Sequence, residues 1–166
     1  DCVPCESGKF SAEAGAVSSA ACKDCGAAKF AELTGNDSED DCIQCGKGKH
    51  SALIGASSLE ECTDCVPGTY SLMTGATVSS TCIPCGAGKF SPWIGSQSEV
   101  DCILCSAGKY SSSRGASSLD SCASCPAGKF SMTRGAISNS TCTLCDAGKY
   151  IIEFFLFKHK KNFRNS

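Results

Sequence analysis

Cysteine recurs in this chain with a period that admits almost no choice of architecture. Cys-x2-Cys appears at 2/5, 22/25, 42/45, 62/65, 82/85, 102/105, 122/125 and 142/145, every 20 residues without a slip. A fixed period of this length defines an array of small units and excludes one large core. Composition agrees, because 16 of 166 residues are cysteine and only 12 are aromatic. That supplies too little bulky apolar material for a single globule and marks a cross-linked or metal-stapled scaffold.

The rest of each unit repeats as well. Two variable residues follow the second cysteine, then Gly-Lys-aromatic-Ser, as in Gly8-Lys9-Phe10-Ser11, Gly88-Lys89-Phe90-Ser91 and Gly108-Lys109-Tyr110-Ser111. Three variable residues lead to a second glycine (Gly15, Gly35, and so on to Gly135), usually followed by Ala-x-Ser and three polar residues. Departures are few: Ala28 for glycine, Ala31 for serine, Thr69 for lysine, His50 for the aromatic, Val78 for serine, Asn36 and Ser96 for alanine. Lys-aromatic-Ser suits a very short strand whose aromatic packs on neighbouring cross-links. The second glycine suits a tight turn with positive φ, and the polar stretch after it reads as loop. No window carries helical apolar spacing. The expected fold is a small disulfide-rich, elongated tandem array of 20-residue loop and short β-hairpin units. Little regular secondary structure and no helix are expected in the repeats, with contacts mostly between neighbours.

Cys-x2-Cys-x16-Cys-x2-Cys is also the spacing of a four-cysteine zinc site. Disulfides are favoured over zinc because eight uniform uninterrupted pairs are unusual for zinc ribbons and the chain lacks the basic character of tandem fingers. The Ser/Thr/Gly-rich loops fit an extracellular stalk. The sequons Asn36-Asp37-Ser38 and Asn139-Ser140-Thr141 fall in those loops and make Asn36 and Asn139 glycosylation candidates. No βαβ pattern surrounds any pair, so a thioredoxin-like role is excluded. Structural zinc modules in an intracellular scaffold are the alternative.

Two pairings satisfy the period. One joins Cys5–Cys22, Cys25–Cys42, Cys45–Cys62, Cys65–Cys82, Cys85–Cys102, Cys105–Cys122 and Cys125–Cys142, and leaves Cys2 and Cys145 unpaired or with partners outside this stretch. The other joins Cys2–Cys22 and Cys5–Cys25 and doubles the period to 40. Odd and even units do not alternate in sequence, which favours the first scheme without closing the second.

Cys-x2-Cys-x2-Gly-Lys-Phe-Ser-x3-Gly-Ala-x-Ser-x3-Cys resembles the ephrin-type-A/B-receptor-like cysteine-rich repeat, over residues 1–150. It is also similar to the first loop of tumour-necrosis-factor-receptor-like cysteine-rich modules. The resemblance implies a tandem ectodomain module of a secreted or membrane protein, and the second likeness implies closure of the Cys5–Cys22 type. Kinase activity is not implied, since the chain has no Gly-rich nucleotide loop, His-Arg-Asp or Asp-Phe-Gly sequence.

The pattern stops at Tyr150. Domain organisation therefore reads as eight tandem repeats over 1–150, seven complete and the eighth truncated, followed by a non-repeat apolar and basic tail over 151–166. Ile151 stands in the serine column and Phe155 in the glycine column. An artefact of the gene model such as intron read-through is the favoured reading of the tail, with an interfacial anchor or the start of another domain as alternatives. The seven residues Ile151–Phe157 are too short to span a bilayer, and no apolar run in the chain reaches the roughly 18 residues that need. The opening at Asp1, without methionine or signal peptide, reads as a fragment or processed form.

Chemistry beyond cross-linking finds little support. His50 occupies the aromatic column and reads as a packing substitute. No second histidine or paired carboxylates accompany it, so a nucleophile and base have nowhere to meet. Asp37, Glu39, Asp40 and Asp41 lack the ligand order of a calcium loop and read as a solvated acidic stretch. Lysine precedes the aromatic column in seven of eight units, which suits a stem covering the ring with its ammonium in water. With 11 basic and 16 acidic residues over 1–150, no strong polyanion site is expected, and nucleic acid is not an expected partner.

No catalytic residue, cofactor, metal or small-molecule substrate is expected. The expected role is an extracellular stalk, spacer or interaction surface. Its partner is an extracellular protein or neighbouring domains of the same chain. Trp93, flanked by Pro92 and Ile94, carries the largest variable-loop side chain and is the candidate contact.

Overall fold

The computed structural model describes residues 2–149. The tail over 151–166 and the readings placed on it lie outside the described residues.

Each Lys-aromatic pair is a two-residue strand. Its antiparallel partner is the two-residue stretch inside the next Cys-x2-Cys. Lys9–Phe10 pairs with Lys23–Asp24, Lys29–Phe30 with Ile43–Gln44, Lys49–His50 with Thr63–Asp64 and Thr69–Tyr70 with Ile83–Pro84. Lys89–Phe90 with Ile103–Leu104, Lys109–Tyr110 with Ala123–Ser124 and Lys129–Phe130 with Thr143–Leu144 complete seven hairpins. Every Cys-x2-Cys from 22/25 to 142/145 thus supplies the return strand of one hairpin, and those up to 122/125 also open the next. The array is small, disulfide-rich and free of α-helix among the described residues.

The other edge of each aromatic strand takes a one-residue parallel bridge from the following unit: Phe10 with Asn36, Phe30 with Ala56, His50 with Ala76, Tyr70 with Ser96, Phe90 with Ala116 and Tyr110 with Ala136. This explains the Gly-Ala pair. The bridging position is buried at Ala56, Ala76, Ser96, Ala116 and Ala136, so only a small side chain fits. Ser96 is accommodated by a hydrogen bond between its hydroxyl and that of Ser91, 3.1 Å apart in the interior.

Seven disulfides join Cys5–Cys22, Cys25–Cys42, Cys45–Cys62, Cys65–Cys82, Cys85–Cys102, Cys105–Cys122 and Cys125–Cys142, each over a separation of 17 residues. Such a loop contributes about 3 kcal/mol by constraining the unfolded chain. The bridges also form the core. Phe30 packs on Cys45 and Cys62, Tyr70 on Cys85 and Cys102, and Phe90 on Cys105 and Cys122. In every case the aromatic of one unit lies on the disulfide of the next, so a unit cannot complete its core alone.

Two features go beyond what the sequence suggests. The polar stretch before each cysteine closes in a single three-residue 3-10 turn, as at Glu39–Asp41, Leu59–Glu61 and Glu99–Asp101. Those three are fixed by capping boxes in which the Asp41, Glu61 and Asp101 carboxylates accept the backbone N–H groups of Ser38, Ser58 and Ser98. Contacts also reach past the immediate neighbour. Gly8, Gly48, Gly68 and Gly88 lie against the carbonyls of Gly55, Gly95, Gly115 and Gly135, two units on.

Candidate functional site

The three variable residues of each unit form a loop whose base is fixed at both ends. At its start stands the serine of Gly-Lys-aromatic-Ser, buried at Ser51, Ser71, Ser91, Ser111 and Ser131. In four of these the hydroxyl accepts the backbone N–H two residues on: Leu53, Met73, Ser113 and Thr133. This turn orders the loop from within. At its end the turn glycine donates its N–H to a cysteine carbonyl 30 residues back. The bond recurs six times, from Gly35 to Cys5 through Gly135 to Cys105, at 2.7–2.8 Å. From unit two to unit seven the end of each loop is therefore pinned to the preceding unit, while the loop side chains face solvent.

Because the same bonds recur, the loops follow one another along the array. In units three to five they are apolar: Leu53 and Ile54, Leu72 and Met73, Trp93 and Ile94 stay between 47% and 66% exposed. Singly, exposed apolar residues need no explanation, but a run of them at the same place in three consecutive units does. Trp93 stands at one end of this run, over a shallow concavity with Ile94, Gln97 and Asp101 on its walls. The sequence singled out Trp93 with Ile94 beside it and missed the Leu53-Ile54 and Leu72-Met73 loops of the same run. The signal was present, but only as a comparison of one loop position across units.

The remaining candidate residues are separated by their environments. Cys2 is a free thiol and exposed, and Cys145 is a free thiol and half-buried. Asn139 is exposed at the start of a 3-10 turn. Asn36 is half-buried, and its side-chain amide donates to the carbonyls of Lys9 (3.2 Å) and Leu33 (2.8 Å). His50 is half-buried in its hairpin opposite Thr63.

The acidic stretch divides its work: Asp41 caps the 3-10 turn while Glu39 pairs with Lys29 at 2.7 Å. Lys89 and Glu99 repeat that pair at 2.6 Å, and Lys9 and Lys49 pair with Asp24 and Asp64. The lysine column is thereby spent on internal ion pairs in these four units. The Lys29 and Lys89 ammonium groups, by hydrogen bond first and by charge second, hold the Glu39 and Glu99 carboxyls below their ordinary value. Among the described residues no group of three or more His, Cys, Asp or Glu is placed to hold a metal ion.

No curated protein matches the chain. Two overlapping stretches, residues 54–102 and 73–122, match the family described as tyrosine-protein kinase ephrin type A/B receptor-like. The matched stretches cover the unit that recurs on either side of them, with the same bridge, hairpin and pinned loop. Residues 54–122 carry ephrin-type-A/B-receptor-like cysteine-rich repeats, and the described residues are set in tandem 20-residue units tied by seven disulfides.

Proposed function

We propose that this chain is a non-catalytic extracellular array that holds adjoining parts of a secreted or membrane protein apart and presents its variable loops as a protein-interaction surface. The observation that carries this reading is the sixfold recurrence of the glycine-to-cysteine bond across units. An element whose segments are all joined in the same way, each reinforced by a covalent bridge, sets distance and displays side chains at fixed intervals. Disulfides at this density belong to an oxidising compartment. The zinc alternative needs four thiolates converging on one point, whereas Cys22 is bonded back to Cys5 and Cys25 forward to Cys42.

The test is the intact mass of secreted material after thiol alkylation, with and without reduction, together with metal analysis. Two alkylated thiols before reduction, sixteen after it, and no zinc are expected. Sixteen free thiols with about one zinc for every four cysteines would overturn the reading.

A further inference from the structure

The loops carry a second pattern, in charge. Between the serine column and the turn glycine, unit one holds Glu13 and unit two Glu32. Units three, four and five hold the apolar pairs Leu53-Ile54, Leu72-Met73 and Trp93-Ile94, and units six and seven hold Arg114 and Arg134. No loop of the seven mixes signs, and the three apolar loops contain no charge. All four charged residues are exposed. None enters an ion pair among the described residues, although Lys9, Lys29, Lys49 and Lys89 all do. The charges at the two ends of the loop stripe are thus among those left unpaired in the described residues, as are Lys109 and Lys129 of the lysine column.

A stripe that runs acidic, apolar, basic is complementary to itself turned end for end. A two-fold axis through unit four sets Glu13 opposite Arg134 and Glu32 opposite Arg114. It sets the Leu53-Ile54 loop opposite the Trp93-Ile94 loop, and Leu72-Met73 against its own copy. This is the geometry of an isologous interface, in which one patch meets itself. A parallel copy sets carboxylate against carboxylate at one end and guanidinium against guanidinium at the other, so the charge order selects against it. The division of labour is physical. Half-exposed aliphatic side chains and Trp93 supply the apolar area, and Trp is the residue type most often dominant in such contacts. The exposed charges add little affinity but fix direction and register.

We propose that the chain associates with a second copy of itself, antiparallel, through this loop stripe. The proposal rests on the reading of the array as an extracellular interaction surface.

It is tested by sedimentation equilibrium of the secreted 166-residue chain, disulfides intact, over about 1–500 µM. The Cys2 and Cys145 thiols are alkylated first so that covalent dimers do not contribute. A reversible monomer–dimer equilibrium is expected. Met73→Asp, which brings two carboxylates together beside the axis, weakens it at least about tenfold. Arg114→Glu with Arg134→Glu weakens self-association, as does Glu13→Arg with Glu32→Arg in a separate chain. Mixing those two charge-reversed chains in equal amounts restores a dimer that contains one of each. All five positions are exposed, and an unchanged thiol count after alkylation verifies that each variant keeps its bridges.

A chain that stays monomeric throughout would overturn the proposal and leave the stripe to a different protein. So would a dimer indifferent to Met73→Asp, or charge-reversed chains that fail to pair. A monomer that keeps its fourteen bridged cysteines leaves the extracellular reading standing, whereas loss of the bridges overturns that reading itself.

Discussion

Gly48 lies against the carbonyl oxygen of Gly95, 47 residues and two units away, so closely that a Cβ built on Gly48 would overlap that oxygen. Gly48 is also at φ +75°, where an L side chain is strained. Two costs therefore meet at one atom, and they can be separated. Gly15 has nearly the same φ, +74°, and among the described residues nothing lies within 4 Å of its Cβ position.

Gly15→Ala is expected to cost about 1–2 kcal/mol, the price of the backbone conformation alone. Gly48→Ala adds about 1–3 kcal/mol for forcing backbone against backbone. Urea unfolding of both variants, disulfides intact, measures the difference. Equal costs would mean that the second-neighbour contact carries no stability.

Much of this fold was legible because a disulfide framework leaves a strict mark on sequence. The 20-residue period, the short aromatic strand at Phe30 or Phe90 and the loop glycines all follow from residue type and spacing. What escaped has physical reasons. The return strands Ile43–Gln44 and Thr63–Asp64 are two residues long, too short for any periodicity, and their pairing partners lie on the far side of a disulfide loop. The second-neighbour contact was obscured by Ala28, which occupies the same column as Gly48 at φ +57°, fully buried, and makes the column look tolerant. The loop stripe escaped because Glu32, Leu53 or Arg114 is unremarked in its own unit. The order emerges only when stacking places the units side by side.

Removing one central bridge tests how far cooperativity extends. Tyr70 packs on Cys85 and Cys102, so Cys85→Ser with Cys102→Ser opens the loop of unit five and also takes away the surface under the unit-four hairpin. A loss of about 2–5 kcal/mol is expected. Hydrogen exchange should rise across residues 66–104 and stay unchanged at the Lys9–Phe10 hairpin, as nearest-neighbour coupling requires. Collapse of protection in all seven hairpins at once would show a single cooperative unit instead.

The Lys29–Glu39 and Lys89–Glu99 pairs set a pH dependence of known sign. Both carboxyls are held below 4.5 in the folded chain by the adjacent lysine. A depressed folded value means that the pair favours the folded state above the unfolded carboxylate range, and that this contribution is lost as pH falls through the folded value. Carboxyl carbon shifts followed from pH 7 to 2 should therefore place both midpoints below 4.5. Lys29→Met should raise the Glu39 midpoint toward the ordinary glutamate value, with the weaker pull of Lys23 remaining, and leave Glu99 where it was. A Glu39 midpoint indifferent to that substitution would remove the ion pair as its cause. Both pairs are solvent-exposed, so the effect on overall stability is small.

The two sequons are expected to behave differently on secreted protein. Asn139 projects from a 3-10 turn into solvent, and a glycan there displaces nothing. At Asn36 both side-chain N–H groups are committed, one to the Lys9 carbonyl and one to the Leu33 carbonyl, at the point where unit two bridges to Phe10. Attaching a sugar to that nitrogen replaces one N–H and breaks one of these bonds in a half-buried position, at about 1 kcal/mol or more. Peptide mapping after enzymatic deglycosylation in water labelled with heavy oxygen should show Asn139 converted to labelled aspartate and Asn36 largely unconverted. Asn36→Ala restores the alanine found at this column in most other units and should leave the Asn139 result unchanged. Full occupancy at Asn36 in folded, bridged protein would mean that the two hydrogen bonds do not hold this part of the array together.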